Sequence, residues 1–142
     1  MLHAMSLRPF HLAMPVDDLA AARAFYGGLM GCPEGRSSAR WIDFNLFGHQ
    51  FVAHLAEGAG VAAHNPVDGQ EVPVPHFGVV LTLAQFDALA ERLTARGAAF
   101  IIAPTTRFAG EVGEQRILFL KDPAGNALEF KAFADDAMLF AR

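Results

Sequence analysis

The chain has 142 residues, of which 53% are hydrophobic and 18% charged, a balance too apolar for a disordered chain. The length fits one domain, residues 1–142, and is enough to bury a core without a covalent staple. A net charge of −4 at pH 7 argues against nucleic acid as a partner, because phosphate binding needs clustered Lys and Arg.

Residues 1–9 lack the charged and apolar regions of a secretory signal. No run elsewhere approaches the ~18–20 apolar residues that span a bilayer. Both features point to the cytoplasm and away from a membrane. Residues 9–14 read as a short strand. Asp17 or Asp18 then caps a helix, along which Leu19, Ala22, Tyr26 and Leu29 recur at helical spacing. Gly31-Cys32-Pro33 stops that helix. Cys32 is the one cysteine, which excludes an internal disulfide and a cysteine-based zinc cage and fits a reducing compartment. A polar loop is expected at 34–39. Residues 41–47 and 50–55 read as two strands joined at Gly48-His49.

Residues 56–75 break the pattern with Gly58, Gly60, Pro66, Gly69, Pro73 and Pro75, and read as a connector. A connector this long inside a compact domain is uncommon and often functional, so it is a candidate cover for a site. The order then repeats. Residues 76–83 form a strand. A helix follows with Phe86, Leu89, Ala90 and Leu93 on one face, and with Arg92 and Arg96 placed to favour its own C-terminal dipole. Gly97 closes it. A short strand at 100–102 ends near Pro104, and a loop runs from 105 to 114. A hairpin, 116–121 and 127–132, turns at Asp122-Pro123-Ala124-Gly125-Asn126. The tail, 134–142, is expected to hold a short helix.

The chain thus carries two copies of one pattern. Module one covers about 9–56, the connector 57–75 and module two 76–133. An offset of 65 places His11 on His76. If the copies pack about a pseudo-two-fold axis, these imidazoles converge. Glu129, on the last strand, faces away from its apolar neighbours Leu128 and Phe130. Two imidazoles and one carboxylate leave open positions for water, substrate or oxygen. That donor set suits Fe(II), and also Mn(II), Ni(II) or Zn(II). His3 near the terminus and His64 in the connector are not ligand candidates.

These features resemble the vicinal oxygen chelate superfamily, which holds glyoxalase I, bleomycin and fosfomycin resistance proteins, and extradiol dioxygenases. The resemblance runs over about 9–133. Its most specific part is Asp122-Pro123-Ala124-Gly125-Asn126-Ala127-Leu128-Glu129-Phe130. Trp41-Ile42-Asp43-Phe44, the segment from Gly48 to Leu55, Val74-Pro75-His76-Phe77-Gly78-Val79 and the segment from Phe108 to Gln115 look most like small single-domain proteins predicted to be extradiol-type dioxygenases.

The resemblance implies an α+β fold, in which two βαβββ modules make a cupped, eight-stranded mixed sheet around a metal. It implies ligation by His11, His76 and Glu129, with Fe(II) favoured and Mn, Ni or Zn as alternatives. The substrate would be a small catechol-like molecule with vicinal oxygens. His54 lies on the last strand of module one, where glyoxalase I carries a further ligand. Counting from the hairpin glycines puts Val52, not His54, level with Glu129, so His54 is expected to move protons near the metal. Trp41, Arg107, Glu111 and Glu114 are the expected substrate contacts. The only tyrosine, Tyr26, falls on the core face of the first helix, away from where larger extradiol enzymes place one. The resemblance also implies a homodimer, formed in some members by exchange of modules. Two other functions share the fold: a glyoxalase-like isomerase, lyase or transferase, and a metal-free resistance protein that sequesters a small molecule.

Overall fold

Two strand–helix–three-strand units follow one another along the chain and share one topology. The computed structural model describes residues 7–57, 63–67 and 70–142. His3, Gly58, Gly60 and Gly69 lie outside the described residues.

The first unit begins with β1 (His11–Val16) and a helix, α1, that starts as Leu19–Ala22 and continues as a π-helical stretch, Arg23–Leu29. Asp18 caps α1 by accepting from the Ala21 N–H at 3.0 Å, which satisfies one of the free donors of the first turn. Then come β2 (Glu34–Ser37), β3 (Trp41–Leu46) and β4 (His49–Leu55). The sheet order is β1-β4-β3-β2, with β1 parallel to β4 and the other neighbours antiparallel.

A hairpin follows, β5 (Ala63–Val67) paired with β6 (Gln70–Val74). The second unit then repeats the first. Its opening strand is split into β7 (His76–Phe77) and β8 (Val80–Leu81), ahead of α2 (Leu83–Ala95). Next are β9 (Phe100–Arg107), β10 (Gln115–Lys121) and β11 (Ala127–Phe133). β7 and β8 both run parallel to β11 and together fill the place that β1 fills in the first sheet. β11, β10 and β9 continue antiparallel. The module strands are thus divided between two hydrogen-bonded sheets rather than joined into one.

The repeat extends to register. Gly48 and Gly125 close the two final hairpins at φ 93° and 92°, a conformation open to glycine and costly to most residues. His11 pairs with Gln50, two residues after the first of these glycines, and His76 with Ala127, two after the second. Val52 and Glu129 are therefore equivalent, as are His54 and Lys131.

Three expectations are corrected. The connector contains a hairpin, and Val72 of β6 is fully buried against Ile102, Ile117 and Phe119 of the second sheet. Its prolines are tolerated because a two-stranded hairpin has free edges. The polar segment after α1 forms β2, an exposed edge strand whose backbone pairing with β3 replaces any apolar signal. β9 runs through Pro104 to Arg107. Its pairing with β10 slips between Thr105 and Ile102, and β9 lies at the sheet edge, so the missing N–H breaks no regular rung. The short helix expected in the tail is the 3-10 turn Asp136–Met138.

Both units feed one apolar core, in which Phe44 and Phe51 of the first sheet and Phe86 and Phe130 of the second unit are almost fully buried. Arg92 of α2 does not serve its own helix end. Its Nε donates to the Leu29 carbonyl at 3.0 Å and its Nη2 to the Gly28 carbonyl at 2.9 Å, so it caps the C-terminus of α1. Cys32 lies beside this contact, and burial pushes its thiol up to about 11 from 9.0, with Arg92 pulling the other way. Burial, reinforced by Asp122, also raises the Tyr26 hydroxyl well above 10.0.

Both groups hold their protons more tightly when folded. Their stabilising effect is complete below the unfolded values and is lost as pH climbs. Stability is expected to be level up to about pH 9 and then to fall, with Cys32 alone contributing on the order of 2 kcal/mol of that loss by pH 11. Urea unfolding at pH 8 and pH 10.5 measures the fall, and Cys32→Ala should reduce it. Equal midpoints at the two pH values would refute the effect.

Candidate metal centre

Strand alternation sorts each sheet into a core face and an open face. On β11, Leu128, Phe130 and Ala132 join the core, so Glu129 and Lys131 face the other way. Glu129 pairs across the ladder with Phe119, and Lys131 with Ile117. His76 reaches the same face from β7. Its Nε2 lies 3.8 Å from Oε2 of Glu129, and its ring meets Phe119 edge-on at 5.0 Å. Lys131 Nζ takes the other carboxylate oxygen, Oε1, at 2.7 Å. His76, Glu129 and Lys131 line a cleft of about 280 Å³ together with Gly78, Val79 and Val80.

The hairpin sets the chemistry of His76. Its Nδ1 is 2.9 Å from the carbonyl oxygen of Pro73. A carbonyl only accepts, so in the neutral ring Nδ1 carries the proton and Nε2 presents its lone pair toward Glu129. The donor set fits a divalent cation at this point: a bare imidazole nitrogen with its outer N–H held, beside a carboxylate within ligand-to-ligand reach.

His11 lies on the open face of the first sheet. Its Nδ1 is 2.9 Å from Oε1 of Gln50, and Nε2 of Gln50 donates to Asp43 Oδ2 at 3.4 Å. A side-chain chain thus holds His11 in the same tautomer that a backbone carbonyl gives His76. Gln50, Asp43 and the Pro73 carbonyl were not legible as supports in the sequence, because each depends on cross-strand register. Lys131 was within reach, being two residues beyond Glu129 on the same strand face.

His76 and Glu129 are brought together, but His11 does not join them within the chain. Among the described residues no group of three or more His, Cys, Asp or Glu is arranged to hold a metal ion. His54 shares the open face with His11, yet it pairs with Pro15 and Trp41 while His11 pairs with Gln50. Four residues of strand separate those rows, about 13 Å. Trp41 is half-buried beside His54. Arg107 is stacked 4.9 Å over Phe108, at the edge of the loop that follows β9. Glu114 turns inward and accepts from the Gly110 N–H at 2.7 Å, which makes it a fastener of its own loop, and Glu111 is exposed.

A larger cavity, about 560 Å³, lies between the β1 and β7–β8 edges and is lined mainly by apolar side chains such as Leu12, Phe51, Phe77 and Leu81. It is ligand-sized. Its lining includes Gln50 and Gly78, neighbours of the two histidines.

No helix among the described residues is long and apolar enough to cross a membrane. A search of curated proteins finds no match. Among solved structures, a glyoxalase/bleomycin resistance protein/dioxygenase from Alicyclobacillus acidocaldarius is 34% identical, over 93% of this chain and 96% of that one, with a TM-score of 0.79. The genomically encoded fosfomycin resistance protein FosX from Listeria monocytogenes is 19% identical over 97% and 98%, with a TM-score of 0.66. A glyoxalase-family protein from Bacillus anthracis is 17% identical over 93% and 99%, with a TM-score of 0.62. The latter two likenesses speak to the fold. The model of the Glyoxalase/Bleomycin resistance protein/Dioxygenase superfamily matches residues 8–130, and with the two-module topology and its register this places the chain in that superfamily.

Proposed function

We propose that the protein is a divalent-metal enzyme of the extradiol dioxygenase type, acting on a small catechol-like substrate, with Fe(II) favoured and Mn, Ni or Zn as alternatives. The observation that carries this reading is the His76–Glu129 pair, its imidazole tautomer set by the Pro73 carbonyl. His11 is the third ligand. Because it stands on the other sheet, it is supplied by a second copy of the chain in a homodimer. Both open faces then meet across the interface, and the two modules of a site come from different protomers. When bound, the metal supplies Lewis acidity toward two adjacent substrate oxygens. The Pro73 carbonyl and Gln50 hold the ligand tautomers, and Phe119 packs edge-on against the His76 ring. His54 is too far along its face from His11 to be assigned the proton-transfer role.

One observation favours a second reading, a glyoxalase-like isomerase, lyase or transferase using the same metal site. Tyr26 is fully buried and its hydroxyl donates to Asp122 at 2.7 Å, so no tyrosine is free to stand by the metal.

Anaerobic purification with metal analysis, then oxygen uptake on a catechol panel, tests both. Iron with oxygen consumption supports the first reading, and a bound metal without oxygen use supports the second. His76→Ala, Glu129→Gln and His11→Ala should each lower metal content at least tenfold while leaving the circular dichroism unchanged, since removing even a residue that orients a ligand costs about 10–100-fold in affinity. Metal-free wild type, with small-molecule binding indifferent to the three substitutions, would leave only the sequestering protein.

A further inference from the structure

We propose that the substrate of this site carries an anionic group, most simply a carboxylate, and that Lys131 receives it. The inference rests on the metal reading above and narrows its substrate class.

Lys131 borders the ligand pair through one carboxylate. Its Nζ lies 2.7 Å from Oε1 of Glu129, while Oε2 of the same group faces His76. The ammonium is therefore beside the site, on the carboxylate oxygen that the imidazole does not face. The rest of the cleft's lining is mostly apolar, with Phe77, Val79 and Val80 beside Gly78. A ring or hydrocarbon body fits there, and a charged end needs a counter-charge.

The protein carries −4, yet on this face of the β10–β11 ladder the one carboxylate, Glu129, is accompanied by two cations, Lys121 and Lys131. Glu129 now compensates Lys131. A divalent cation held by Glu129 satisfies that carboxylate and leaves the ammonium without its partner in a partly desolvated cleft, where an unpaired charge is costly. An anionic substrate supplies the missing charge. A neutral diol does not.

The equivalent position in the first unit strengthens the assignment. His54 stands at the register position of Lys131 and Val52 at that of Glu129, so neither the carboxylate nor the fixed cation recurs at these two positions; the first sheet's carboxylate is Asp43, across the ladder from Val52. Lys131 therefore does not follow from the repeat, and its place beside Glu129 is particular to the ligand-bearing sheet.

The test is anaerobic titration of metal-loaded protein with catechol and with 3,4-dihydroxybenzoate, read by calorimetry. Wild type should bind the carboxylated diol about tenfold more tightly. Lys131→Met should bring the ratio of the two affinities to about one, while Lys131→Arg retains the preference. Equal affinity of wild type for the two diols would overturn the proposal. So would a Lys131→Met variant that loses both diols alike, which would mark Lys131 as a strand ion-pair partner of Glu129 and nothing more. Protein that takes up no metal overturns the reading beneath, and this one with it; protein that takes up metal but shows no preference overturns this one alone.

Discussion

Asp122→Ala is expected to cost on the order of 4 kcal/mol of stability, because it strands several buried donors at once. The Asp122 carboxylate is almost wholly buried. Its Oδ1 accepts from the backbone N–H groups of Ala124 and Asn126 at 3.0 and 2.8 Å. Its Oδ2 accepts from the Tyr26 hydroxyl at 2.7 Å and from Asn126 Nδ2 at 2.9 Å. Asn126 Nδ2 also donates to the Pro15 carbonyl at the end of β1. One carboxylate therefore shapes the last hairpin turn and ties it to the first unit. Deleting it leaves the hydroxyl and two amides without partners in a low-dielectric core, where each unsatisfied group costs about 1–3 kcal/mol. Tyr26→Phe removes one donor and its need together, so about 1 kcal/mol is expected there. Urea denaturation of the two single variants and the double measures this. A double-mutant cycle with no coupling would show that the turn and the helix are independent.

That cluster shows why the most recognisable segment of the chain was only half legible. Asp122-Pro123-Ala124-Gly125-Asn126 announces a turn through residue chemistry alone, because Asp and Asn bond locally and Gly accepts positive φ. What the turn holds could not be read. Tyr26 is 96 residues away from Asp122 in the chain, and nothing local records that contact. The same division runs through the fold. The repeat was readable because His11 and His76 open strands of matching composition, and the structure extends the match to their cross-strand partners. The hairpin over the second sheet was not readable. Pro66 and Pro73 disguise its strands, and only burial of Val72 against Ile102, Ile117 and Phe119 explains why they form. At the candidate site, residue types located His76 and Glu129. Their supports come from register and backbone carbonyls, which leave no trace in composition. His11 belongs to a different sheet from His76 and Glu129, and sheet membership leaves no trace in residue type.

Gly78→Ala should be nearly as damaging, for a steric reason that bears on the site itself. A Cβ at Gly78 would sit 1.6 Å from the carbonyl oxygen of Glu129 and 2.6 Å from its carbonyl carbon. Both atoms are backbone, so no rotamer change relieves the clash. The strand must move away from β11, and the pairs Lys131↔Val80 and Ala132↔Leu81 must loosen with it. A loss of about 3 kcal/mol is expected, at the upper end of overpacking costs because the obstacle cannot repack. Gly28→Ala is the control, since a Cβ there meets nothing within 4 Å, and it should change stability by less than about 1 kcal/mol. The equivalent residue of the first unit is Ala13, in a strand that runs unbroken from His11 to Val16 and faces Val52. The opening strand of the second unit breaks where Gly78 presses onto the backbone of the residue that carries the carboxylate. The break thus brings the strand bearing His76 close against Glu129, the position at which the first unit has Val52. If Gly78→Ala keeps both wild-type stability and wild-type metal affinity, that close approach has no part in holding the pair; loss of metal affinity at a denaturant concentration where the variant remains folded would show that it does.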